Sequence, residues 1–431
     1  MKKSRFTRSP LTAPAPESPE VPRGPRPMGA AMPAPQRARV SVDGGNIIGM
    51  KTLFSLLALL ALAGCASLPN EPQARDAGYI DAEVQRVMRR EAVVGMALAV
   101  IEGGTVVHVG AYGRRNVERD LPLTVDSVMY GASLTKAAFA YMILQLVDEG
   151  RLELDASVAV LLPRPLPEYE EFTDLAGDER WRALTPRILL THTTGFANFR
   201  WLEADRRLRF HRDPGKYYGY SGEGFYILQL VLEQGLGFDV GKEMRVRVFD
   251  RFGMTNTSMS WRPDFAANLA DGYGLDGSME PHDQRSAASA AGSMDTTIAD
   301  QARLWAGVMR GDGLSARSRA EFARPQVPIT SPHQFPTLLA EVEPRNAEIG
   351  LAAGLGVVTF RDSSGPAWFK GGHNDWTGNM VVCLETGQRC VVMLANDVRA
   401  ERIYPEITRM ILGDTSMPWR WEYDWVDAAR R

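Results

Sequence analysis

Three short stretches of the sequence hold side chains whose types and spacing suit nucleophilic catalysis. They are Ser133-Leu134-Thr135-Lys136, Tyr220-Ser221-Gly222 and Lys370-Gly371-Gly372. A serine hydroxyl is a poor nucleophile until a neighbouring base removes its proton. A lysine amine in an apolar pocket near other cations has a lowered pKa and can act as that base. The first stretch therefore predicts a nucleophile, Ser133, with its base, Lys136, one helical turn away on the same face.

Lysine is scarce in this chain and occupies only seven of the 49 positions that hold Lys or Arg. An amine can lose its proton inside a protein, whereas a guanidinium cannot. The lysines that remain at positions 136 and 370 are therefore candidates for work that arginine cannot do. Codon drift towards arginine is the alternative explanation, and the two surrounding patterns together favour the chemical one.

The other two stretches add a proton carrier and a cation. A tyrosine beside two lysine ammonium groups can be held as a phenolate and share in proton transfer, and Tyr220 is the candidate. Lys370 on an edge strand, followed by Gly371 and Gly372, lets a substrate backbone lie alongside as an added strand. Each stretch alone also fits a plain structural role, as a glycine-rich aromatic loop or a strand-to-turn transition.

In this order and spacing, the three stretches resemble the S-x-x-K, Y-x-N or S-x-N, and K-[ST]-G motifs of the serine β-lactamase and penicillin-binding-protein superfamily. The resemblance spans about residues 77–415. The order of the stretches along the chain is similar to that in the branch of class C β-lactamases, D-Ala-D-Ala carboxypeptidases and related esterases. Two further stretches support it: Leu189-Leu190-Thr191-His192-Thr193-Thr194-Gly195 and Ser289-Ala290-Ala291-Gly292-Ser293-Met294.

The resemblance implies a role for each residue. Ser133 would be the acylated nucleophile and Lys136 its base or proton relay. Tyr220 would protonate the leaving group and later activate water, while Lys370 would bind a substrate carboxylate and tune Tyr220. The backbone N–H groups of Ser133 and His373 would form the oxyanion hole.

Two substrate-binding positions depart from the family pattern. Gly222 stands where Asn is usual, and Gly371 stands where Ser or Thr is usual; Gly372 keeps the family's glycine. Both losses weaken the recognition of penicillin-type carboxylates. We therefore expect an envelope serine hydrolase of an ester or amide, with a β-lactam, a D-amino-acid peptide and a small ester as open choices, rather than an efficient β-lactamase.

Other classes of protein fit the sequence less well. A non-catalytic member of the fold that binds peptidoglycan or a partner has no need of Ser133, Lys136, Tyr220 and Lys370 together. The chain lacks G-x-S-x-G, and its six histidines are scattered, so we expect no metal and no cofactor. A formal net charge of −3 without a basic stripe argues against a nucleic-acid partner. The sequence does not indicate an oligomeric state.

Sequence patterns also predict the elements that position these residues. An apolar helix over 133–149, apolar nearly all round, should be buried in a large domain. Apolar strands are predicted around Gly103-Gly104 and again over 354–358, 367–370, 379–384 and 390–395. Between them lie helical segments over 224–235, 241–252 and about 298–310. This order predicts an α+β fold, in which the N- and C-terminal segments build one antiparallel sheet and a mostly helical lobe, about residues 120–285, is inserted.

The N-terminal region predicts export. Residues 1–49 look like a misplaced gene start or a disordered extension, and residues 50–64 have the basic start and short apolar run of a signal peptide. Leu62-Ala63-Gly64-Cys65 resembles a bacterial lipobox, which implies lipidation of Cys65, a tether over 65–76 and a hydrolase domain over 77–431. Anchoring at the periplasmic face of the outer membrane is the location that this resemblance implies.

Cys383 and Cys390 flank a predicted two-residue turn at Thr386-Gly387. That turn would place the two cysteines opposite each other, as a hydrogen-bonded pair with α-carbons about 5.5 Å apart. Export would expose them to an oxidising compartment. A cross-strand disulfide and two small buried apolar side chains both remain open at this point.

Overall fold

The structure is a computed structural model that describes residues 76–423. The predicted extension, signal peptide, lipidated Cys65 and nearly all of the tether lie outside the described residues. Within the described part, the strands are β1 (Gly95–Glu102), β2 (Thr105–Asn116), β3 (Leu121–Pro122), β4 (Met129–Tyr130), β5 (Gly272–Tyr273), β6 (Met279–Glu280), β7 (Asp295–Thr296), β8 (Val327–Pro328), β9 (Ala352–Ala353), β10 (Val358–Asp362), β11 (Gly365–Asn374), β12 (Thr377–Leu384) and β13 (Arg389–Ala395).

The helices lie mostly between these strands. The α-helices are α1 (Ala77–Arg90), α2 (Leu134–Asp148), α3 (Val158–Leu161), α4 (Pro186–Leu190), α5 (Gly222–Leu230), α6 (Val240–Met244), α7 (Ile298–Arg310), α8 (Ala316–Phe322), α9 (Arg345–Glu348), α10 (Tyr404–Leu412) and α11 (Trp419–Glu422). Short 3-10 turns cover Leu166–Glu168, Glu170–Leu175, Glu179–Ala183, Arg200–Leu202, Pro263–Asn268 and Val398–Ile403, and π-helical turns extend α5 and α6 over Val231–Gly235 and Arg245–Phe249.

One nine-stranded sheet joins the two ends of the described chain. Its strand order is β3-β2-β1-β13-β12-β11-β10-β9-β8, and neighbouring strands run antiparallel. Because β1 pairs with β13, strands from the N- and C-terminal segments lie side by side at the centre. The predicted α+β class, with a sheet built from both termini and flanked by helices, is confirmed.

Both faces of the sheet are covered, which explains the unbroken apolar run of β1. Ala97, Ala99 and Ile101 pack in the core that contains α2, whereas Met96 and Leu98 pack in a second core with α1 and α10. Side chains alternate between the faces of a strand, so a strand buried on both sides is apolar at every position. α7 packs against β13 on the face of the first core, and α10 packs against it on the face of the second.

The turn between β1 and β2 forms as predicted. Gly103 and Gly104 both adopt positive φ, 56° and 68°, which residues with a Cβ rarely tolerate. Glu102 and Thr105 close this two-residue turn as a pair. The hairpin therefore follows directly from the Gly-Gly dipeptide between two apolar runs.

The predicted strand over 354–358 is wrong for most of its length. β10 begins only at Val358, and Gly356 has a φ of 76°. A Cβ on Gly356 would lie 2.7 Å from the Cβ of Ala140 and 3.0 Å from the carbonyl oxygen of Lys136. This segment bends because it passes close over the first turns of α2, a contact that strand propensity does not reveal.

A disulfide links Cys383 and Cys390 across β12 and β13. The two residues pair directly in the register that the Thr386-Gly387 turn predicts. Their α-carbons are 4.2 Å apart, closer than the separation of about 5.5 Å expected for a hydrogen-bonded pair. Within residues 76–423, no helix has the length and apolar character needed to cross a bilayer.

Candidate active site

Ser133 lies immediately before α2. It is the N-cap residue of that helix, and the preceding Ala132 has a positive φ of 46°. A non-glycine residue in this region is strained and persists only where its surroundings hold it. The Thr135 hydroxyl donates a 2.6 Å hydrogen bond to the Ala132 carbonyl and so holds the turn. The turn presents Ser133 to a cavity of about 240 Å³.

Lys136 contacts Ser133 from one turn further along α2. Its Nζ lies 3.0 Å from the Ser133 hydroxyl and 2.5 Å from the carbonyl oxygen of Ala291, and the side chain is only 1% exposed. Burial, together with the nearby charge of Lys370, holds the pKa of the Lys136 amine well below its usual range. A neutral amine at this distance can accept the proton of the serine hydroxyl.

Tyr220 lies just before α5, and the Lys136 Nζ is 5.0 Å from the centroid of its ring. Its ring stacks on His192 with centroids 4.2 Å apart, and its hydroxyl is hydrogen-bonded to the hydroxyl of Ser133. Burial raises the pKa of Tyr220 above its usual value, and the hydrogen bond to Ser133 opposes this only in part. The buried environment therefore favours the neutral phenol of Tyr220, a proton donor, over the phenolate that the sequence analysis considered.

Lys370 on β11 completes the predicted quartet. Its Nζ lies 3.4 Å from the Tyr220 hydroxyl and donates a 2.5 Å hydrogen bond to the carbonyl oxygen of Gly371. Burial lowers the pKa of Lys370, while the negative charge of Glu422 opposes that change. The structure thus brings together all four side chains that the sequence singled out, across 237 positions of chain.

The glycines of the third motif allow β11 to approach the start of α2. A Cβ on Gly372 would lie 2.9 Å from the backbone nitrogens of both Ser133 and Leu134. Gly371 and Gly372 line the same cavity as Ser133, as predicted for substrate-binding positions. Only a glycine at 372 lets the strand edge lie this close to the N–H groups at the helix N-terminus.

Gly222, predicted to be a substrate-binding position, does not line the cavity. Gly222 begins α5, and the ring of Phe199 fills the space that its side chain would take. Phe199 and Asn198, rather than Gly222, line the cavity. The side chain that is usual at position 222 is therefore replaced in space by an aromatic ring from a preceding loop.

His373 lies in the cavity beside Ser133, where the family resemblance requires a backbone N–H donor. Its imidazole Nδ1 lies 3.1 Å from Oε1 of Glu401. Burial alone would lower the pKa of His373, but the hydrogen bond and charge of Glu401 outweigh it and the net pKa is raised. The ring is thereby held by the 3-10 turn Val398–Ile403, which carries Glu401.

Several residues of the site were missed by the sequence analysis. Glu422, Gln334, Phe335 and Asn198 all line the cavity, and His192 supports Tyr220 from behind. Burial raises the pKa of Glu422, with the charges of Lys370 and His373 opposing. No local pattern around Glu422 indicates a site, because its partners Lys370 and Gln334 lie 52 and 88 positions away in the chain. Among residues 76–423, no three His, Cys, Asp or Glu side chains are grouped as a metal site would need.

Known proteins match this chain over most of its described part. The family model described as Beta-lactamase matches residues 80–411. Monacolin J acid methylbutanoyltransferase of Aspergillus terreus is 30% identical over 201 residues, which cover 39% of this chain and 48% of that protein. Esterase EstB of Burkholderia gladioli is 33% identical over 119 residues, which cover 28% of this chain and 29% of that protein. The chain thus spans about half or less of the curated relatives that it matches.

A solved structure shares the fold. The octameric penicillin-binding protein homologue from Pyrococcus abyssi superposes with a TM-score of 0.63 at 19% sequence identity, over 83% of this chain and 81% of that one. At this identity the likeness concerns the arrangement of strands and helices. The chain therefore has a known arrangement of strands and helices.

Proposed function

Because the chain belongs to the Beta-lactamase family, we propose that it is a serine hydrolase that cleaves an ester or amide through an acyl-enzyme at Ser133. The observation that carries this proposal is Lys136. Its amine is 1% exposed, has a strongly lowered pKa and lies 3.0 Å from the Ser133 hydroxyl. A buried cation in that place would be costly for a purely structural role, whereas a neutral amine is the base that the serine needs.

Acylation follows from these contacts. Lys136 takes the proton of Ser133 as the hydroxyl oxygen attacks the substrate carbonyl carbon. The N–H groups of Ser133 and His373 stabilise the developing oxyanion. Tyr220 gives its proton to the departing alcohol or amine, and Lys370, 3.4 Å from the phenol oxygen, stabilises the phenolate that forms.

Deacylation restores each proton. The Tyr220 phenolate takes a proton from water, and the resulting hydroxide attacks the Ser133 ester. The acid leaves, and Lys136 returns its proton to the Ser133 oxygen. Tyr220 and Lys136 therefore end the cycle as they began, as phenol and neutral amine.

The family supports hydrolysis or acyl transfer as the general class of reaction. One relative is named as an esterase and another as an acyltransferase. Both outcomes share the acyl-enzyme and differ only in the acceptor, which is water or another hydroxyl. We propose water, because the cavity around Ser133 is small and lined by polar groups that suit a water molecule.

Substrate class is narrowed by the two departures from the family pattern. Neither Gly222 nor Gly371 offers the side chain that would bind a penicillin-type acyl chain or carboxylate. We therefore propose an ester or a peptide of another kind as the natural substrate. A protein that only binds peptidoglycan or a partner is the alternative, and the geometry of the quartet disfavours it.

The decisive experiment combines mass spectrometry with turnover. The 66–431 protein is incubated with p-nitrophenyl acetate and, separately, with a penicillin, and its intact mass and the released chromophore are recorded. We expect an acyl adduct and turnover with the ester, both absent in Ser133→Ala and retained in the control Ser260→Ala. A protein that gives neither adduct nor turnover with either reagent would contradict catalysis at Ser133 and favour the binding alternative.

We also propose that the protein is exported and anchored through a lipid on Cys65. The basic, apolar and lipobox segments over residues 50–65 support this location. The disulfide between Cys383 and Cys390 is in keeping with an oxidising compartment. More than one acyl chain on Cys65 would be needed for stable attachment.

A further inference from the structure

Glu422 occupies the space that a side chain at position 371 would fill. A Cβ built on Gly371 would overlap Oε1 of Glu422. The hydroxyl that is usual in this motif is thus replaced, in the same place, by a carboxylate from α11. A group that donates a hydrogen bond to a bound anion has been exchanged for one that repels it.

The carboxylate of Glu422 is held in position and faces the substrate. Its side chain is 4% exposed, and its Oε2 accepts a 2.8 Å hydrogen bond from Nε2 of Gln334. Within residues 76–423, no hydrogen bond is made to the other oxygen, Oε1. Glu422 lines both the cavity of Ser133 and a larger neighbouring one. One carboxylate oxygen is therefore available to a ligand.

Glu422 also changes what Lys370 can bind. The two charges attract each other inside a buried site. Above the pKa of Glu422, which burial raises to about 7, a substrate carboxylate that approaches Lys370 must compete with this internal anion and pass close to it. Electrostatic attraction for an anionic substrate is weakened as a result.

The larger cavity beside Glu422 is also lined by acidic side chains. It has a volume of about 600 Å³ and shares Phe335, His373 and Glu422 with the cavity of Ser133. Its other acidic and aromatic lining residues are Asp276, Asp375, Glu401, Trp376, Trp421 and Tyr423. His373 is the single basic side chain among its lining residues, and it is already paired with Glu401.

We propose that this acidic and aromatic cavity binds a cationic group of the substrate, an ammonium or a quaternary ammonium, next to the bond that Ser133 attacks. Carboxylates supply the opposite charge, and the faces of tryptophan rings attract cations. The proposal rests on the proposed function and names its substrate class. A positively charged ester or amide is favoured, and a carboxylate-bearing one is disfavoured.

The test uses three p-nitrophenyl esters of equal acyl length that end in a trimethylammonium, a tert-butyl or a carboxylate group. At pH 8, we expect kcat/KM for the cationic ester to exceed that of the neutral one at least tenfold, with the anionic ester slowest. Glu422→Gln should reduce the cationic-to-neutral ratio at least fivefold. Glu153→Gln, the same change at an exposed position outside both cavities, should leave the ratio unchanged.

The outcomes separate this inference from the proposed function. Turnover of the neutral ester that depends on Ser133, with no preference for the cation or with a preference that Glu422→Gln leaves intact, would overturn only the inference. A faster anionic ester would overturn it as well. Loss of all turnover and of the acyl adduct would instead count against the proposed hydrolase.

A binding measurement tests the cavity even if no ester is turned over. Titration calorimetry of the Ser133→Ala protein with benzyltrimethylammonium should show saturable binding that is weakened at least fivefold by Glu422→Gln. Phenylpropionate, which presents a carboxylate on a similar ring, should bind more weakly than the cation. Equal binding of both compounds, or no binding of the cation at millimolar concentration, would reject the cationic site.

Discussion

Lys136 is proposed as the base because of where it is buried. A lysine on the protein surface is protonated at neutral pH, but burial and the neighbouring Lys370 make the charged form of Lys136 unfavourable. The same burial acts in the opposite direction on Tyr220, whose pKa rises so that it keeps its proton. The same buried site thus favours a proton acceptor, Lys136, and a proton donor, Tyr220, near Ser133.

Replacing this amine should remove the base without removing the side-chain volume. Lys136→Arg retains a long cationic side chain that cannot lose its proton, so kcat/KM for an ester should fall by about 10²–10⁴. In the unaltered protein, kcat/KM should rise with pH as Lys136 loses its proton, and this limb should lie well below the usual lysine pKa of 10.5. Stopped-assay rates across pH 5–10 measure both effects.

The control for this experiment is Lys242→Arg, which makes the same exchange at an exposed position of α6. It should match the unaltered protein in rate and in pH profile. Two results would show that Lys136 is not the general base. One is that Lys136→Arg keeps most of the activity; the other is that kcat/KM of this variant rises with pH over the same range as in the unaltered protein.

The contact between β11 and α2 sets the geometry of the site. The strand carries Lys370, and the helix carries Ser133 and Lys136, so their separation decides whether the quartet can act together. Gly372 is the point of closest approach, where the strand backbone lies against the nitrogens of Ser133 and Leu134. No flexible side chain stands between the two elements to absorb a larger residue.

A methyl group at this contact should separate the two elements. Gly372→Ala places a Cβ within 2.9 Å of two backbone nitrogens and 3.1 Å of the Gly131 carbonyl oxygen. Overpacking of this kind costs about 1–3 kcal/mol of stability. We expect at least a tenfold loss of kcat/KM and a lower midpoint in urea denaturation.

Gly78→Ala is the matched control, because the nearest atom to its added methyl is a side-chain oxygen of Asp76 at 3.3 Å. It lies in α1, away from the site, and should leave the kinetic constants unchanged. Full activity in Gly372→Ala would show that the strand and helix can move apart without consequence.

The molecule as a whole combines a Beta-lactamase family domain with an N-terminal sequence that predicts attachment to a membrane. The body is one sheet built from both ends of the described chain, with separate apolar cores on its two faces. The Arg-rich composition leaves few exposed lysines, and the formal net charge is close to neutral at −3. The proposed attachment to a membrane therefore relies on the lipid at Cys65 and not on the net charge.

Lipidation can be tested on the exported protein. Expression of residues 50–431 in a Gram-negative host with an alkyne-labelled palmitate should give a labelled protein in the outer-membrane fraction, because the acylated Cys65 supplies the anchor. Cys65→Ser should abolish the label and release the protein from the membrane, whereas Ser67→Ala should not. Unlabelled protein in the cytosolic fraction would contradict the proposed export and anchor.

Local sequence was sufficient to predict the features that depend only on residues close together in the chain. The three-residue spacing of Ser133 and Lys136 puts both on one face of a helix, and Gly103-Gly104 between apolar runs forms the predicted turn. The apolar character of α2 predicted its burial on all sides. Periodicity and turn chemistry act over a few residues, so they can be interpreted without knowing the fold.

Contacts between distant segments of the chain decided the lining of the cavity and the protonation of its side chains. Phe199 and Glu422 fill the spaces left by Gly222 and Gly371, and no pattern in the chain links either side chain to its glycine. The protonation states of Lys136 and Tyr220 follow from burial, which exists only once β11, α2 and the loop before α5 have packed together. Spacing along the chain thus identified the candidate reactive groups. Their charges, and the sign of charge that the cavity is proposed to prefer, depend on side chains that meet only in the folded protein.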